Sequence, residues 1–311
     1  MKTMESGVYP TMITPFVRGE VDEAAVGHLV DFYASAGCRG IFAVCQSSEM
    51  AFLSRKERLR LARLTAEAAA GRMTVVASGH CANSPEEQAE ELQAMGETGV
   101  DAVVLVTNRL DPHGDGDGVW MENGARLLGR LDPAVPLGLY ECPRPYKRLL
   151  TPALLDWCAG TGRFRFFKDT CCDPALLTAR LKQLEGAGLL LFNANAQTLL
   201  HSLQTGGSGY SGIMANFCPA LPVWLCDHFR DRPDLARTVS DCLSMMAFTE
   251  GPAYPVTAKY ALNRLGVSMT TESRSCDPKK LTEYERLTVD QLLDVSAGLE
   301  RLLKEKEEIE Q

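Results

Sequence analysis

Short apolar runs alternate with longer amphipathic runs along about the first two thirds of the chain. Most apolar runs, such as DAVVLV (101–106), have the length and composition of strands buried on both faces of a parallel sheet. Helix-start signals open several amphipathic runs, as where Ser54 precedes Glu57 at the capping-box spacing and Ser84 precedes Pro85. The pattern predicts eight strands, each followed by a helix. The strands are predicted at 7–16, 40–44, 74–78, 101–106, 136–140, 164–167, 189–192 and 207–213.

Eight strands alternating with helices predict a (β/α)8 TIM barrel, in the α/β class. A doubly wound open sheet is the alternative, but that fold usually has a glycine-rich turn after its first strand, where this chain has Thr14-Pro15-Phe16. From Pro219 onward the apolar positions take helical spacing, at about 219–230, 233–248, 253–263 and 281–310. We therefore expect a barrel over residues 1–218 and a C-terminal helical extension over 219–311 that packs on it.

Composition narrows the possible partners. Of the 311 residues, 45% are hydrophobic and 23% are charged, as in an ordinary globular protein. The net charge of −8 argues against nucleic acid and anionic membranes, because both bind basic patches. The sequence has no apolar signal core and no run of about 18 apolar residues, so we expect a soluble, cytoplasmic protein. The eleven cysteines form no CxxC pair, which is typical of reduced thiols.

Two strand ends carry residues with catalytic potential, and barrel enzymes collect their functional residues at strand ends. Lys168 follows the sixth predicted strand, and the side-chain alternation places Phe164 and Phe166 on its face, as an apolar floor for the amine. Burial disfavours the ammonium, and a neutral amine can form a Schiff base with a carbonyl. The alternative is a strand-end lysine that pairs with Asp169. Tyr140 ends the fifth strand, and its phenol suits proton transfer to an imine, although it could also be a tyrosine at the core rim.

Two further strand-end segments are suited to ligand binding. The turn CQSSE (45–49) clusters hydroxyls and backbone N–H groups that can hold a carboxylate, although serine-rich turns are common. The segment GGSGYSGIMANFCP (206–219) lets a ligand approach the backbone closely, but it lacks the Lys-Ser/Thr ending of a P-loop. The five histidines form no HxxxH or HxH pair, so we predict no metal site.

In combination, these segments resemble the dihydrodipicolinate synthase / N-acetylneuraminate lyase family of class I aldolases. The family's Thr-Pro after strand one matches Thr14-Pro15, its Gly-x-Thr-Gly-Glu turn matches Cys45 to Glu49, and its Tyr-x-x-Pro matches Tyr140 to Pro143. Its lysine followed by an acid or Thr/Ser matches Lys168 to Thr170, and its glycine-rich eighth strand matches Gly207 to Pro219. Each match is weak alone, but five in chain order, each at a predicted strand end, are highly specific. The resemblance covers roughly the whole chain.

The resemblance implies a Schiff-base-forming lyase, aldolase or dehydratase that acts on a 2-keto acid, usually pyruvate, without a cofactor. Lys168 would form the Schiff base and Tyr140 would shuttle protons, while Glu49 would hold the turn in shape. Substrate-binding roles fall to the remaining matched or neighbouring residues: Ser47, Ser48, Gln46, Ile213 and Arg144. The family is usually a homotetramer built from tight dimers, so a homo-oligomer is expected.

The sequence departs from the family pattern at positions that bear on the substrate. Over 45–48 the turn reads Cys-Gln-Ser-Ser, where the family has two glycines and a hydroxyl at its first polar position. The synthase subgroup donates a relay tyrosine across the dimer from a segment after strand four, which here is Thr-Asn-Arg-Leu over 107–110. The synthase arginine for a second carboxylate is replaced by Pro145, with Arg144 one residue early. These departures favour another keto acid, and they leave two alternatives open: dihydrodipicolinate synthase proper and a non-catalytic, ligand-binding barrel.

Overall fold

The computed structural model describes residues 4–310 and shows a ring of parallel strands. Neighbouring strands pair in the order 1-8-7-6-5-4-3-2, and a parallel bridge between Thr11 and Phe42 joins the first strand's continuation to the second. The protein is a TIM barrel, which confirms the predicted fold. The eight strands are Gly7–Val8, Gly40–Ala43, Thr74–Ala77, Ala102–Val106, Leu137–Tyr140, Phe164–Asp169, Leu190–Asn193 and Gly209–Tyr210.

The first and eighth strands are shorter than predicted, and the sixth is longer. Pro10 has no N–H to donate, so the first strand stops at Val8, and the chain then stays beside the second strand through the Phe42 N–H, which donates to the Pro10 carbonyl at 2.9 Å. In the eighth, the Gly207 N–H turns back to the Ser202 carbonyl at 2.7 Å. The sixth strand continues to Asp169, so it carries Lys168 within its hydrogen-bonded register.

The helices begin where the capping signals predict. The Ser54 hydroxyl accepts from the Glu57 N–H while the Glu57 carboxylate accepts from the Ser54 N–H, which confirms the capping box. One helix follows each strand: Glu23–Ser35, Arg55–Ala69, Pro85–Gly96, Asp117–Leu128, Pro152–Gly160, Pro174–Gln183, Leu199–Gln204 and Ala220–His228. A short antiparallel hairpin, Phe16–Val17 with Glu20–Val21, precedes the first of them.

Three further α-helices follow in the C-terminal part of the described residues: Pro233–Met246, Val256–Arg264 and Glu283–Glu310. The first packs on the helix Ala220–His228, which itself lies against the first strand, and the second packs on the 3-10 turn Ile213–Asn216 after the eighth strand. The predicted division at residue 218 stays a prediction. No helix within residues 4–310 has the length and apolar character needed to cross a membrane.

Aromatic side chains fill the barrel interior. The Tyr9 and Phe192 rings lie 4.6 Å apart between centroids, Phe166 stacks on Phe192 at 4.8 Å, and Phe42 meets Phe166 edge-on at 5.6 Å. All four are fully buried. Such a packed interior leaves no channel, so chemistry is confined to the strand ends above this layer.

Candidate active site

Lys168 and Tyr140 lie side by side at the ends of the sixth and fifth strands. The two residues are partners in the strand register, so their side chains point to the same inner face. Lys168 Nζ lies 4.6 Å from the centroid of the Tyr140 ring and 5.6 Å from that of Phe42. Both Lys168 and Tyr140 are nearly inaccessible, at 5% and 3% exposure. The floor beneath the amine is therefore Phe42, with the predicted Phe166 packed against Phe42 one layer below.

The Lys168 amine is unpaired among the residues that the structure describes, where Nζ has neither a hydrogen-bond acceptor nor an ion-pair partner. Burial lowers the pKa of Lys168, and interactions with Cys45, Cys142 and Glu250 oppose that shift without cancelling it. The alternative of an ion pair with Asp169 is wrong, because that carboxylate points to the outer face of the strand.

Asp169 instead belongs to a buried ionic cluster behind the two strand ends. Arg180, on the helix after the sixth strand, contacts Asp169 and donates to Glu141 at 2.7 Å, and Glu141 also accepts from the Leu150 N–H at 2.7 Å. Burial raises the pKa of Glu141 to about 7, although Arg180 acts against that rise. Because Glu141 and Asp169 directly follow Tyr140 and Lys168, the cluster ties together the two strand ends that carry the amine and the phenol.

The 45–49 turn is held by its own side chains. The Ser48 hydroxyl donates to the Met12 carbonyl at 2.6 Å and accepts from the Cys45 N–H at 3.0 Å, so it is fully used within the turn. The Ser47 hydroxyl, by contrast, donates to the Thr11 hydroxyl at 3.1 Å and stays within the barrel mouth. Among residues 4–310, the Ser47 and Ser48 N–H groups have no acceptor within hydrogen-bond range. This turn therefore offers an anion two free backbone donors, and a third donor when the Ser47 hydroxyl turns from Thr11 to the anion.

Glu49 anchors the turn to the C-terminal part of the chain. Its carboxylate pairs with Lys259 Nζ at 3.2 Å and accepts from the Ser273 hydroxyl at 2.8 Å and the Arg274 and Ser275 N–H groups at 2.7 Å. Burial acts to raise the pKa of Glu49, but Lys259 and these donors outweigh it and hold the pKa below its usual value. The carboxylate thus faces the C-terminal segment and not the Lys168 amine.

The other predicted site residues differ in their burial and in their contacts. The Tyr140 hydroxyl interacts with the Cys142 thiol, and that thiol donates to Gln46 Oε1 at 3.4 Å. Ile213 is half-buried beside the core at the end of the eighth strand. Arg144 is exposed and is engaged through its backbone carbonyl, which accepts from Asn108 Nδ2 at 2.9 Å.

Two residues that the sequence did not indicate reach this site from the C-terminal part of the chain. Tyr254 lies with its hydroxyl among those of Ser47 and Thr11 and 3.4 Å from Asn216 Nδ2. Glu250 interacts with Lys168, and its buried Oε2 has no hydrogen-bond partner among the described residues. Burial raises the pKa of Glu250 to about 7. Both lie in the connection between two helices, where no strand-end rule or motif spacing marks them.

The segment after strand four has a structural part here. It forms a 3-10 turn, Thr107–Leu110, in which the Thr107 hydroxyl donates to the Arg148 carbonyl at 2.7 Å. Asn108 Nδ2 donates to the carbonyls of Cys142, Arg144 and Tyr146 at 3.0, 2.9 and 2.6 Å. The turn holds the loop that follows Tyr140. Within residues 4–310 no group of three or more His, Cys, Asp or Glu side chains is arranged to hold a metal ion.

The chain is similar to known proteins along most of its length. The model of the dihydrodipicolinate synthetase family matches residues 4–112. The 4-hydroxy-tetrahydrodipicolinate synthase of Anaplasma marginale (strain Florida) is 29% identical over 268 residues, which cover 84% of this chain and 85% of that protein. The homologous enzyme of Ruegeria pomeroyi is also 29% identical, over 275 residues that cover 85% of this chain and 90% of that protein.

Solved structures share the whole barrel. A prophage protein of the dihydrodipicolinic acid synthase family from E. coli, solved in complex with pyruvate, superposes with a TM-score of 0.82 at 22% identity, over 95% of this chain and 98% of that one. The sialic acid aldolase of Ruminococcus gnavus gives a TM-score of 0.84 at 16% identity, over 95% and 98% of the two chains. At such low sequence identities, the two superpositions establish a common fold and no more. With the family match over residues 4–112 and relatives at 25–29% identity along most of its length, the chain is similar to the dihydrodipicolinate synthetase family.

Proposed function

We propose that the protein is a Schiff-base-forming lyase of the class I aldolase type that acts on a 2-keto acid, with Lys168 as the nucleophile. The observation that carries the proposal is a buried amine, unpaired within the described residues, beside a buried phenol on the next strand end. Because burial lowers the pKa of Lys168, more of the amine is neutral at a given pH, and the neutral form is the one that attacks a carbonyl. Pyruvate or a pyruvate-releasing substrate is the first choice, since the family's solved members include a pyruvate complex.

The proposed chemistry assigns one proton-transfer residue. The amine adds to the keto carbon, and the resulting carbinolamine loses water as the C=N bond forms, which requires a proton on the departing hydroxyl. Burial raises the pKa of Tyr140 well above its usual value, so the phenol keeps its proton at neutral pH and can deliver it. The iminium then accepts the electron pair of the substrate bond that breaks, so no cofactor is needed as electron sink.

The carboxylate of the keto acid has a proposed place on the 45–49 turn. The Ser47 hydroxyl and the N–H groups of Ser47 and Ser48 would bind it, with Ser48 acting through its backbone since its hydroxyl holds the turn. Gln46 and Ile213 would contact the rest of the substrate. Arg144 is a candidate for a distal anionic group that reaches the exposed rim. We also propose a homo-oligomer, on the family resemblance alone.

Borohydride trapping tests the nucleophile directly. The protein is incubated with each of a panel of 2-keto acids, reduced, digested and mapped by mass spectrometry. We expect the mass of a reduced keto acid on Lys168 with at least one member of the panel. Absence of any adduct, in the presence of measurable keto-acid binding, would instead favour a non-catalytic binding barrel.

A second candidate is 4-hydroxy-tetrahydrodipicolinate synthesis, which is the activity named for the relatives at 25–29% identity. Against it stand Pro145, where the synthase has its arginine, and the 3-10 turn at 107–110, which has no tyrosine. Condensation of pyruvate with aspartate semialdehyde measures it. Turnover there would establish the synthase, whereas its absence together with a Lys168 adduct would leave a lyase for another substrate.

A further inference from the structure

Tyr254 is a phenol that reaches the site of Lys168 from the C-terminal part of the chain. It lies in the connection before the helix Val256–Arg264, and its hydroxyl sits among the hydroxyls of Ser47 and Thr11. It also interacts electrostatically with Tyr140, so the two phenols belong to one neighbourhood. Tyr254 as a whole is half-buried.

The position of the Tyr254 hydroxyl is fixed by a residue that is itself held on two sides. Asn216 Nδ2 lies 3.4 Å from the Tyr254 oxygen and also donates to the Thr11 carbonyl at 3.0 Å. The other amide atom, Oδ1, accepts from the Tyr33 hydroxyl at 2.6 Å. Asn216 therefore cannot turn away without breaking two buried hydrogen bonds, and Tyr254 stays directed at Ser47.

A carboxylate bound at Ser47 would need more donors than the turn provides. Ser47 and Ser48 supply one hydroxyl and two N–H groups, while a carboxylate has about four acceptor positions. A buried anion is stable only when it is paired or well hydrogen-bonded. Arg144, the cation predicted nearby, is exposed. A neutral phenol that interacts with Ser47 fills this need, and burial raises the pKa of Tyr254, so it keeps the proton that it would donate.

We propose that Tyr254 is a substrate-binding residue whose hydroxyl donates a hydrogen bond to the keto-acid carboxylate beside Ser47. One chain then supplies both phenols of its own site, Tyr140 at the imine and Tyr254 at the carboxylate. This inference rests on the proposed function, because it assumes a keto acid bound through Lys168.

The test compares Tyr254→Phe with wild type in the borohydride assay, at increasing pyruvate concentration or with the panel member that traps best. We expect the half-saturating concentration to rise about 10-fold or more, as for loss of a hydrogen bond to a charged group, while the trapping rate at saturation changes little. The neutral ketone butanone, which has an ethyl group where pyruvate has its carboxylate and so no acceptor there, should show the same half-saturation in both proteins.

Tyr260→Phe is the matched control, because it removes a phenol hydroxyl on the helix Val256–Arg264 that donates to the Asp290 carboxylate at 3.0 Å and has no part in holding Asn216. It should leave half-saturation unchanged. Equal half-saturation for wild type and Tyr254→Phe would overturn the inference, as would an equal rise in Tyr260→Phe or an equal effect on butanone, since either would indicate a purely structural role. Failure of the proposed function is distinct, because then wild type itself forms no adduct.

Discussion

Two lysines of this protein are buried to almost the same degree yet sit in opposite surroundings. Lys259 is fully buried, and its ammonium pairs with Glu49 at 3.2 Å, contacts the Glu272 carbonyl and lies 4.7 Å from the centroid of the Phe16 ring. Lys168 is 5% exposed and has two aromatic rings beside it but no counter-ion within bonding distance among the described residues. Burial lowers the pKa of both, but at Lys259 the paired Glu49 opposes it directly.

Burial alone therefore does not make a lysine reactive. A buried ammonium with a carboxylate partner is a structural ion pair, whose charge is retained because loss of either member leaves the other unpaired. A buried amine without such a partner loses its proton more readily and becomes a nucleophile. Removing or adding such a partner should therefore shift one kind of site toward the other.

Replacement of Lys168 is expected to have the largest effect. Lys168→Met should lower turnover by at least about 10³-fold, because no other group can form the imine. The fold should remain intact, since a buried amine is exchanged for an apolar side chain of similar length. Turnover and thermal unfolding measured on the same sample check both parts. Turnover near wild type would refute the nucleophile assignment.

Replacement of Lys259 should instead lower the stability of the protein and leave the reactivity of Lys168 in place. Lys259→Met leaves Glu49 buried without its cation, so we expect a loss of about 3 kcal/mol in the free energy of unfolding, measured in urea. Borohydride trapping at Lys168 should persist under conditions where the variant is folded. The double variant Lys259→Met with Glu49→Gln should recover part of the loss, because the unpaired charge is gone. No recovery would mean that the pair does not act as one unit.

Tyr140 tests the proton-transfer half of the site. Tyr140→Phe should slow imine formation by about 10²-fold, the usual contribution of one positioned acid or base, and should change half-saturation by the keto acid much less. Pre-steady-state imine formation with pyruvate measures the rate. A rise in half-saturation with an unchanged rate would show that Tyr140 binds the substrate and does not transfer protons.

The amine and phenol could be predicted from sequence because a barrel makes their positions local. Apolar runs fix the strands, alternation along each strand fixes the inner face, and consecutive parallel strands place Tyr140 and Lys168 side by side. The 45–49 turn followed from the same rule. The early end of the first strand could not be predicted in the same way. The apolar run continues past Pro10, but Pro10 has no N–H to donate to the neighbouring strand, so the strand ends at Val8.

The C-terminal contributors could not be predicted in this way. Tyr254, Glu250 and Lys259 lie on a helical connection and a helix whose amphipathic pattern shows that they pack, but not which part of the barrel they meet. Tertiary packing decides that. Only the structure shows that Glu49 is buried and that Lys259 is its cation.

Glu250 tests the comparison between the two lysines with the smallest expected effect. It is the carboxylate whose charge raises the pKa of Lys168, although it does not pair with the amine. Its own pKa is raised to about 7 by burial, against the effect of Lys168. The other titratable groups that interact with this carboxyl are Tyr210, Tyr254, Cys172 and Cys218. Burial raises the pKa of each of these, so they stay neutral near pH 7 and leave Glu250 and Lys168 as the pair that titrates.

Glu250→Gln should shift the pH dependence of trapping in a defined direction. Above about pH 7 the wild-type carboxylate is ionised and raises the pKa of Lys168, so removing its charge lowers that pKa and speeds imine formation at a given pH. Below about pH 7 the wild-type carboxyl is itself protonated, so the two profiles should converge. Trapping rates at saturating keto acid across about pH 5 to 9 measure this, with Glu250→Asp as the charge-keeping control. A slower Glu250→Gln at high pH would mean that the carboxylate takes part in proton transfer, and the contrast between a paired and an unpaired lysine would then need a second base.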